Sequence, residues 1–183
     1  RDEPHTADPA DRRSVVAQAW YPTVRREHPG EVAPLAYIDG TGNMPGLVLV
    51  IPGSMLRRYG HIDTHAEALA PLAPGDRPWP VVILSPGYGA PRAVYTGLAT
   101  RLASRGFVVF SLDHPYESAV VQLPDGRVVG TQEMLLPGER DRLSYMARQQ
   151  IVRVADVRFV IDQLAHADVL SSPLRGGRID ASK

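Results

Sequence analysis

The sequence of 183 residues contains no cysteine, and its only lysine is the last residue, Lys183. Without cysteine the chain has neither a disulfide nor a thiolate nucleophile. Without an internal lysine it has no Gly-Lys-Ser/Thr phosphate loop of the Walker type. Acidic and basic residues balance at 20 each, so the charge gives no reason to expect nucleic acid as a partner.

Long apolar runs are also missing from the sequence. No run approaches the roughly 20 residues that cross a bilayer, so we predict no transmembrane segment. No signal peptide is present and the sequence opens with Arg1, which leaves a secreted bacterial protein and a cytoplasmic protein both open. The length suffices for one hydrophobic core, and we predict a single domain over residues 1–183. The sequence does not indicate an oligomeric state.

The stretch from Val81 to His114 predicts a strand, a tight turn, a helix and a second strand. Val81–Leu84 and Phe107–Leu112 are short apolar runs rich in β-branched residues, which is typical of strands buried on both faces. From about Ala93 to Ser104, apolar residues recur every four positions and predict the inward face of a helix, namely Val94, Leu98 and Leu102. Because such a crossover is right-handed, the two strands should be parallel.

The turn Ser85-Pro86-Gly87-Tyr88-Gly89 follows the first strand, and Asp113 and His114 follow the second. In open α/β sheets, ligands bind beyond the carboxyl ends of the strands. Glycines there let backbone N–H groups approach a ligand, and such donors can stabilise an oxyanion. An ordinary strand-to-helix turn also needs glycine, so the spacing alone leaves both interpretations open.

These residues resemble the third strand, first helix and fourth strand of an α/β-hydrolase, in particular the platelet-activating-factor acetylhydrolase-like esterases and their bacterial relatives. The Ser-Pro-Gly-Tyr turn and the run from Leu102 to Val109 are also similar to bacterial cutinases and polyester hydrolases. Residues 113–117, 123–127 and 156–164 favour the acetylhydrolase-like group. The resemblance implies an α/β fold, the N-terminal part of an α/β-hydrolase with a mostly parallel sheet and flanking helices.

The resemblance further implies a serine-dependent carboxylic ester hydrolase that acts on a small ester or lipid-like substrate without a cofactor. The backbone N–H of Tyr88 would donate to the oxyanion. Gly87, Gly89 and His114 would bind the substrate. Acetylhydrolases related to the mammalian enzymes carry His-Gly where this chain has Pro86-Gly87, so their substrate choice does not transfer to this chain.

The nucleophile that such an enzyme needs is absent from the sequence. It belongs in a Gly-x-Ser-x-Gly turn after the fifth strand, and the triad follows in the order serine, acid, histidine. The sequence has no such motif, and Arg178-Ile179-Asp180 resembles only the lead into that strand. We therefore expect an N-terminal portion that ends before the nucleophile elbow and is inactive alone, with all six histidines on the wrong side of the serine. The alternatives are a cutinase-like polyester hydrolase fragment and a non-catalytic binding module derived from a hydrolase.

Other segments give further expectations. Ser14–Tyr21 predicts a strand, Ala119–Val129 a hairpin, Pro52–Tyr59 a short helix, and Arg140–Ala165 the longest helix, while Leu47–Ile51 remains ambiguous. The longest helix should bury an apolar stripe of Ile151, Val154, Val157, Ile161 and Leu164. Phe107–Leu112 should lie at an exposed edge of the sheet and invite association, because its fifth-strand neighbour is missing.

His61, Asp63 and His65 would share one face of a strand, where two imidazoles and a carboxylate could bind zinc. No fourth ligand is evident nearby in the sequence, and Thr64-His65-Ala66 resembles a structural stretch of the esterase family. We therefore predict that the protein has no metal site.

Overall fold

The structure is a computed structural model, which describes residues 2–24, 62–131, 138–166, 173–174 and 179–180. A four-residue 3-10 turn, Arg92–Tyr95, leads into the first helix. The elements are β1 (Val16–Trp20), β2 (Trp79–Leu84), α1 (Thr96–Ala103), β3 (Val108–Asp113), β4 (Val121–Gln122), β5 (Val128–Val129), α2 (Glu139–Leu164) and β6 (Ile179–Asp180). The expectations for 47–51 and 52–59 lie outside the described residues.

The main sheet has the strand order β1-β3-β2-β6. β2 runs parallel to β3, with Val82 opposite Val109, which confirms the predicted strand–helix–strand crossover. β6 is parallel to β2, and β1 is antiparallel to β3. The sheet is therefore mostly parallel, as the sequence predicts.

β3 is an inner strand, and all six of its residues are buried. The expectation that Phe107–Leu112 lies at an exposed edge is wrong. The N-terminal strand β1 covers one side of β3 and β2 covers the other, while β6 pairs with β2 instead. Any association through this strand's edge is thereby blocked in the folded chain.

Helices pack on opposite faces of the sheet because alternate side chains of β3 point to opposite sides. One core cluster joins β3 to α2 and contains Val108, Phe110, Leu112, Val160, Leu164 and Leu174. The other joins β3 to α1 and contains Trp20, Ala99, Ala103 and Val109. Burying each large aliphatic side chain contributes roughly 1.5–3 kcal/mol, so these two layers account for much of the cohesion of the sheet.

The helix α1 is present where predicted, but it does not bury the predicted face. Val94 and Leu98 are 53% and 45% exposed, and only Leu102 of the predicted stripe packs against the core. The buried residues of this segment are small, namely Ala93, Thr96, Ala99 and Ala103. Small side chains let a helix approach a sheet closely, and a pattern based on large apolar residues misses that face. Gly106, at φ +88°, ends the segment in the left-handed conformation that is common for glycine after a helix.

The long helix α2 is confirmed, but its predicted apolar stripe is only partly correct. Leu164 is buried and Val157 packs against the core, whereas Ile151, Val154 and Ile161 are 74%, 49% and 46% exposed. The buried positions are Tyr145, Gln149, Asp156, Val160 and Leu164. Three of these five buried side chains carry polar groups. Their polarity did not indicate exposure to solvent, because they have partners inside the protein.

The predicted hairpin is confirmed, with β4 antiparallel to β5. Asp125 lies at its turn, where its carboxylate accepts a hydrogen bond from the backbone N–H of Arg127 at 2.9 Å. This local bond is typical of aspartate in tight turns.

Candidate functional site

The turn Ser85–Gly89 lies at the carboxyl end of β2, beside the carboxyl end of β3. The Ala119 N–H donates to the Gly89 carbonyl at 2.8 Å, and the Ala90 N–H donates to the Gly87 carbonyl at 3.0 Å. Gly89 has φ +77°, which a side chain would strain. Gly87 is exposed, whereas Pro86 is buried. The turn is thus fixed from the protein side and presents its middle to solvent.

A serine, a histidine and an aspartate lie in a row behind this turn. The Ser85 Oγ is 2.9 Å from the His114 Nε2, and the His114 Nδ1 is 2.9 Å from the Asp156 Oδ2. His114 and Asp156 are only 1% and 0% exposed. These distances are those of a nucleophile, base and orienting acid in a serine hydrolase.

The charge on Asp156 determines which groups in this row donate a proton and which accept one. Burial raises the pKa of Asp156, but hydrogen bonds from His114 and Arg13 outweigh it, and the pKa lies below its ordinary value. The carboxylate therefore only accepts, and the His114 Nδ1 must donate to it. In the neutral ring, the Nε2 then accepts the proton of the Ser85 hydroxyl.

Arg13 closes the row at its Asp156 end. Its guanidinium donates to both oxygens of Asp156, at 3.2 and 2.7 Å. It also donates to Glu3 at 3.1 Å and to the Pro115 carbonyl at 3.0 Å. Burial lowers the pKa of Arg13, but Asp156 and Glu3 raise it above its ordinary value. The N-terminal segment is thereby tied to α2 through fully buried charges.

Arg153 closes the row at its Ser85 end. Its Nη1 donates to the Ser85 Oγ at 3.1 Å and to the Pro86 carbonyl. Its Nε donates to Glu117 at 3.2 Å, and its Nη2 makes an ion pair with the same carboxylate. Glu117 is 1% exposed, so it is a buried counter-charge that follows β3. One guanidinium group therefore connects the turn after β2 with the loop after β3.

A second ion pair supports the far end of the turn. Asp113 is 0% exposed and accepts the Arg92 N–H at 2.6 Å, and the two side chains also pair. Burial raises the pKa of Asp113 above its ordinary value despite the positive charge of Arg92. The last residue of β3 thus holds the start of the 3-10 turn that leads into α1.

The structure brings the predicted residues Gly87, Tyr88 and Gly89 together at this edge of the sheet. The predicted residue His114 is adjacent, but its ring is directed at Ser85 and Asp156 and is almost fully buried. A direct contact between His114 and a substrate stays a prediction, as does the oxyanion role of Tyr88.

Four charged residues at this site were not predicted, namely Glu3, Arg13, Arg92 and Arg153. Glu117 and Asp156 were noticed only as parts of family-like segments. The available signal was the spacing of Arg153 and Asp156 on one face of α2, between Gln149 and Val160. Charged residues at core positions of a helix indicate buried partners, and those partners lie more than 30 residues away in sequence.

The metal hypothesis concerns a different region. His65 and Asp63 contact each other at 3.0 Å but are 84% and 70% exposed. Within the described part of the chain, no group of three or more potential ligands is arranged around a common point, and His61 is not described. The described helices likewise include none that is both long and apolar enough to cross a membrane.

A depression of about 1000 Å³ lies at the opposite end of the strands, away from the Ser85–Gly89 turn. Its lining includes Trp79 at the start of β2 and Gly106 after α1. Ligands of open α/β sheets bind at the carboxyl edge, so this depression is on the wrong side of the sheet for the predicted chemistry.

Comparison with protein families matches residues 7–152 to the family "Platelet-activating factor acetylhydrolase, isoform II". The match covers most of the chain, including the turn, β3, the hairpin and the first half of α2. The chain belongs to this family. The resemblance that the sequence analysis drew from the turn and the Asp113–Glu117 segment is therefore confirmed.

Two relatives and one solved structure are 28–31% identical to the chain over the parts that match. A probable 1-alkyl-2-acetylglycerophosphocholine esterase of Arthroderma benhamiae is 30% identical over 118 residues, 56% of this chain and 30% of its own length. The platelet-activating factor acetylhydrolase of Cavia porcellus is 28% identical over 109 residues, 58% of this chain and 25% of its own. The ferulic acid esterase from Streptomyces cinnamoneus matches with a TM-score of 0.62 and 31% identity over 91% of this chain and 42% of that one.

These matches show the fold and the general class of this acetylhydrolase-family chain. The fold is that of an α/β-hydrolase, and the relatives are ester hydrolases. The chain spans less than half the length of these relatives.

Proposed function

We propose that the protein is a serine-dependent carboxylic ester hydrolase in which the Ser85–Gly89 turn supplies an oxyanion donor. The observation that carries the proposal is the position of this turn in a member of an esterase family. It follows a central parallel strand at the edge where α/β proteins bind ligands. Hydrogen bonds hold it from behind, at Ser85, Pro86 and Gly89.

The reaction would proceed through an acyl-enzyme. A serine attacks the ester carbonyl, the alcohol leaves, and water then hydrolyses the acyl group. The Tyr88 N–H would donate to the negative oxygen of each tetrahedral intermediate, with Gly87 and Gly89 allowing the substrate to come close to the backbone. A preorganised backbone donor suits this role because it costs little reorganisation during the reaction.

We further propose that Ser85 is not the attacking serine, despite its distances to His114. Its hydroxyl is engaged by Arg153 as well as by His114, behind the turn rather than on an exposed elbow. The Gly-x-Ser-x-Gly motif is absent from the 183 residues. Residues 1–183 alone should therefore hydrolyse p-nitrophenyl acetate no faster than an albumin control.

The substrate class that we propose is a small or lipid-like ester. Among the relatives, one is named for an acetylated glycerophosphocholine and the structural neighbour for ferulic acid. The hairpin β4–β5 argues against the cutinase-like alternative, which would lack it. A panel of p-nitrophenyl acetate, an acetylated glycerophosphocholine and methyl ferulate would distinguish these substrates. If the protein encoded by the full gene hydrolysed none of them, the binding-module alternative would replace the esterase.

The oxyanion assignment can be tested at Tyr88 in the protein encoded by the full gene. Tyr88→Phe keeps the backbone donor and should retain most of the activity. Tyr88→Pro removes the N–H, and loss of one oxyanion donor typically lowers kcat by about 10²–10³. The measurement is kcat on a short acyl ester, with folding checked by circular dichroism. A folded Tyr88→Pro enzyme with nearly unchanged kcat would show that the oxyanion hole lies elsewhere.

A further inference from the structure

Arg153 contacts the start of the Ser85–Gly89 turn at two neighbouring atoms. Its Nη1 donates to the Pro86 carbonyl and, at 3.1 Å, to the Ser85 Oγ. These two acceptors flank the first peptide bond of the turn. The guanidinium group therefore limits rotation of the backbone where β2 passes into the turn.

Glu117 fixes the direction of this guanidinium group. It accepts from the Nε at 3.2 Å and pairs with the Nη2, which leaves the Nη1 directed at the turn. Paired N–H donors on a planar guanidinium match the two oxygens of a carboxylate, a geometry that lysine does not reproduce. The Arg153 side chain is 14% exposed and that of Glu117 is 1% exposed, so solvent screens the pair weakly.

The peptide between Pro86 and Gly87 transmits this contact to the exposed side of the turn. The chain has no cis peptide bond in its described part, so the Pro86 carbonyl and the Gly87 N–H point in opposite directions within one plane. Holding the carbonyl on Arg153 aims the Gly87 N–H away from Arg153. The same contact also fixes the direction in which the backbone leads into the next residue, Tyr88.

We propose that Arg153 is a positioning residue for the oxyanion turn. It holds the plane of the Pro86–Gly87 peptide and thereby the direction of the donors that follow, with Glu117 as its counter-charge. The effect of Arg153 on catalysis rests on the proposed function. The restraint that Arg153 places on the turn does not depend on that function.

The row Ser85–His114–Asp156 belongs to the same restraint. Ser85 receives an N–H from Arg153 and contacts His114, and Arg13 holds Asp156. Each group in the row is thus engaged on two sides. A nucleophilic serine also keeps its bond to histidine during attack, so the contact with Arg153 is what favours a role in fixing the turn.

The test compares Arg153→Lys with Arg148→Lys in the protein encoded by the full gene. Arg148 lies on the exposed side of the same helix and serves as the matched control. Arg153→Lys keeps the charge but loses the planar pair of donors. We expect kcat on a short acyl ester to fall about tenfold, since one well-placed hydrogen bond is worth roughly that factor, with KM within about twofold. Arg148→Lys should change neither constant.

A readout that does not depend on activity is hydrogen exchange of the amides in residues 84–92. We expect exchange there to become about tenfold faster in Arg153→Lys, in step with the lost hydrogen bond, while exchange in α2 stays unchanged. If Arg153→Lys does not fold, Glu117→Gln provides the same test, because it removes the counter-charge and keeps an acceptor. Unchanged exchange in residues 84–92 of a folded variant would overturn the proposal, whether or not the protein is an esterase.

Ser85→Ala separates positioning from attack. We expect a loss in kcat of about tenfold, because the serine contributes one hydrogen bond to the restraint. A loss of about 10⁶, as when a nucleophilic serine is removed, would overturn the positioning role. Absence of activity in the wild type would refute the proposed function and leave the exchange result to decide the restraint.

Discussion

The helix α2 buries different kinds of side chain in two parts, which we call its polar half (residues 139–156) and its shorter apolar half (residues 157–164). In the polar half, the Tyr145 hydroxyl donates to the Tyr116 carbonyl, Gln149 contacts His5, and Asp156 binds Arg13 and His114. In the apolar half, Val160 and Leu164 pack on the apolar side chains of β3. The helix is continuous between the two halves, so the difference lies in the surroundings and not in the secondary structure.

The difference indicates what each half requires of its neighbours. Apolar packing is not directional, so substitutions that conserve volume cost little. Buried charges require a partner in one geometry, and removing one partner leaves the other uncompensated. The polar half lies against the Ser85–Gly89 turn, where direction matters for the proposed chemistry. We therefore expect the two halves to respond differently to conservative substitution.

The largest effect is expected for Asp156→Asn in the polar half. The side chain keeps its size but removes one of the two carboxylates that pair with the buried Arg13, which leaves only Glu3 as a counter-charge in the described contacts. Breaking a buried pair in this way costs about 3–5 kcal/mol of unfolding free energy. The measurement is urea denaturation, with Asp162→Asn on the exposed side of the same helix as the control, which should change stability by less than about 0.5 kcal/mol. Equal effects of the two substitutions would remove the distinction between the two sides of the helix.

The same substitution gives a pH dependence of known sign. The pKa of Asp156 is lowered on folding, so its stabilising contribution is present above its unfolded pKa of about 3.9 and is lost as the pH falls through the folded pKa. The gap in stability between the wild type and Asp156→Asn should therefore narrow as the pH falls below about 4. The raised pKa of Asp113 acts in the opposite direction, but equally in both proteins, and cancels in the difference. A gap that widened on acidification would contradict this.

The next effect concerns Leu164 in the apolar half. Leu164→Ala should cost about 2–5 kcal/mol because it leaves a cavity against β3. Leu164→Met nearly conserves the volume and should cost less than about 1.5 kcal/mol. Thermal or urea unfolding of both variants checks the ranking. If the methionine variant were as unstable as the alanine variant, the apolar half would tolerate a volume-conserving substitution no better than the polar half.

The sequence predicted the elements of this fold better than their orientation. Val81–Leu84 and Phe107–Leu112 are strands because β-branched runs of that length suit a buried sheet, and the parallel pairing followed from the helix between them. The buried faces of both helices were predicted only in part, since periodicity identifies an apolar stripe but not which side of the helix the sheet covers. In α1 the covered side carries alanines, and in the polar half of α2 it carries paired polar groups.

The candidate site was predictable only where its residues are adjacent in sequence. The Ser85–Gly89 turn was identifiable from its glycines and from its place after a strand. The contacts of Arg153 with Ser85 and of Asp156 with Arg13 join residues 68 and 143 positions apart. Pairings at such distances depend on the packing of α2 against the sheet, which local patterns do not determine.

The smallest effect is expected on the outward side of α2. Ile151 is 74% exposed, so Ile151→Ser removes little buried surface. Serine and isoleucine also have similar helix propensities, and the unfolding free energy should change by less than about 0.5 kcal/mol. The free energy from urea denaturation is the readout. A cost above about 2 kcal/mol, typical of a buried aliphatic side chain, would show that this side of the helix is covered in solution.

The central claim is that the row Ser85–His114–Asp156 holds the turn and does not attack the substrate. Its most direct test is to react the folded protein encoded by the full gene with a fluorophosphonate and to locate the adduct by peptide mass spectrometry. We expect the protein to be modified while the peptide that contains Ser85 stays unmodified. An adduct on Ser85 that disappears in His114→Gln would contradict the claim and identify these three residues as a catalytic triad.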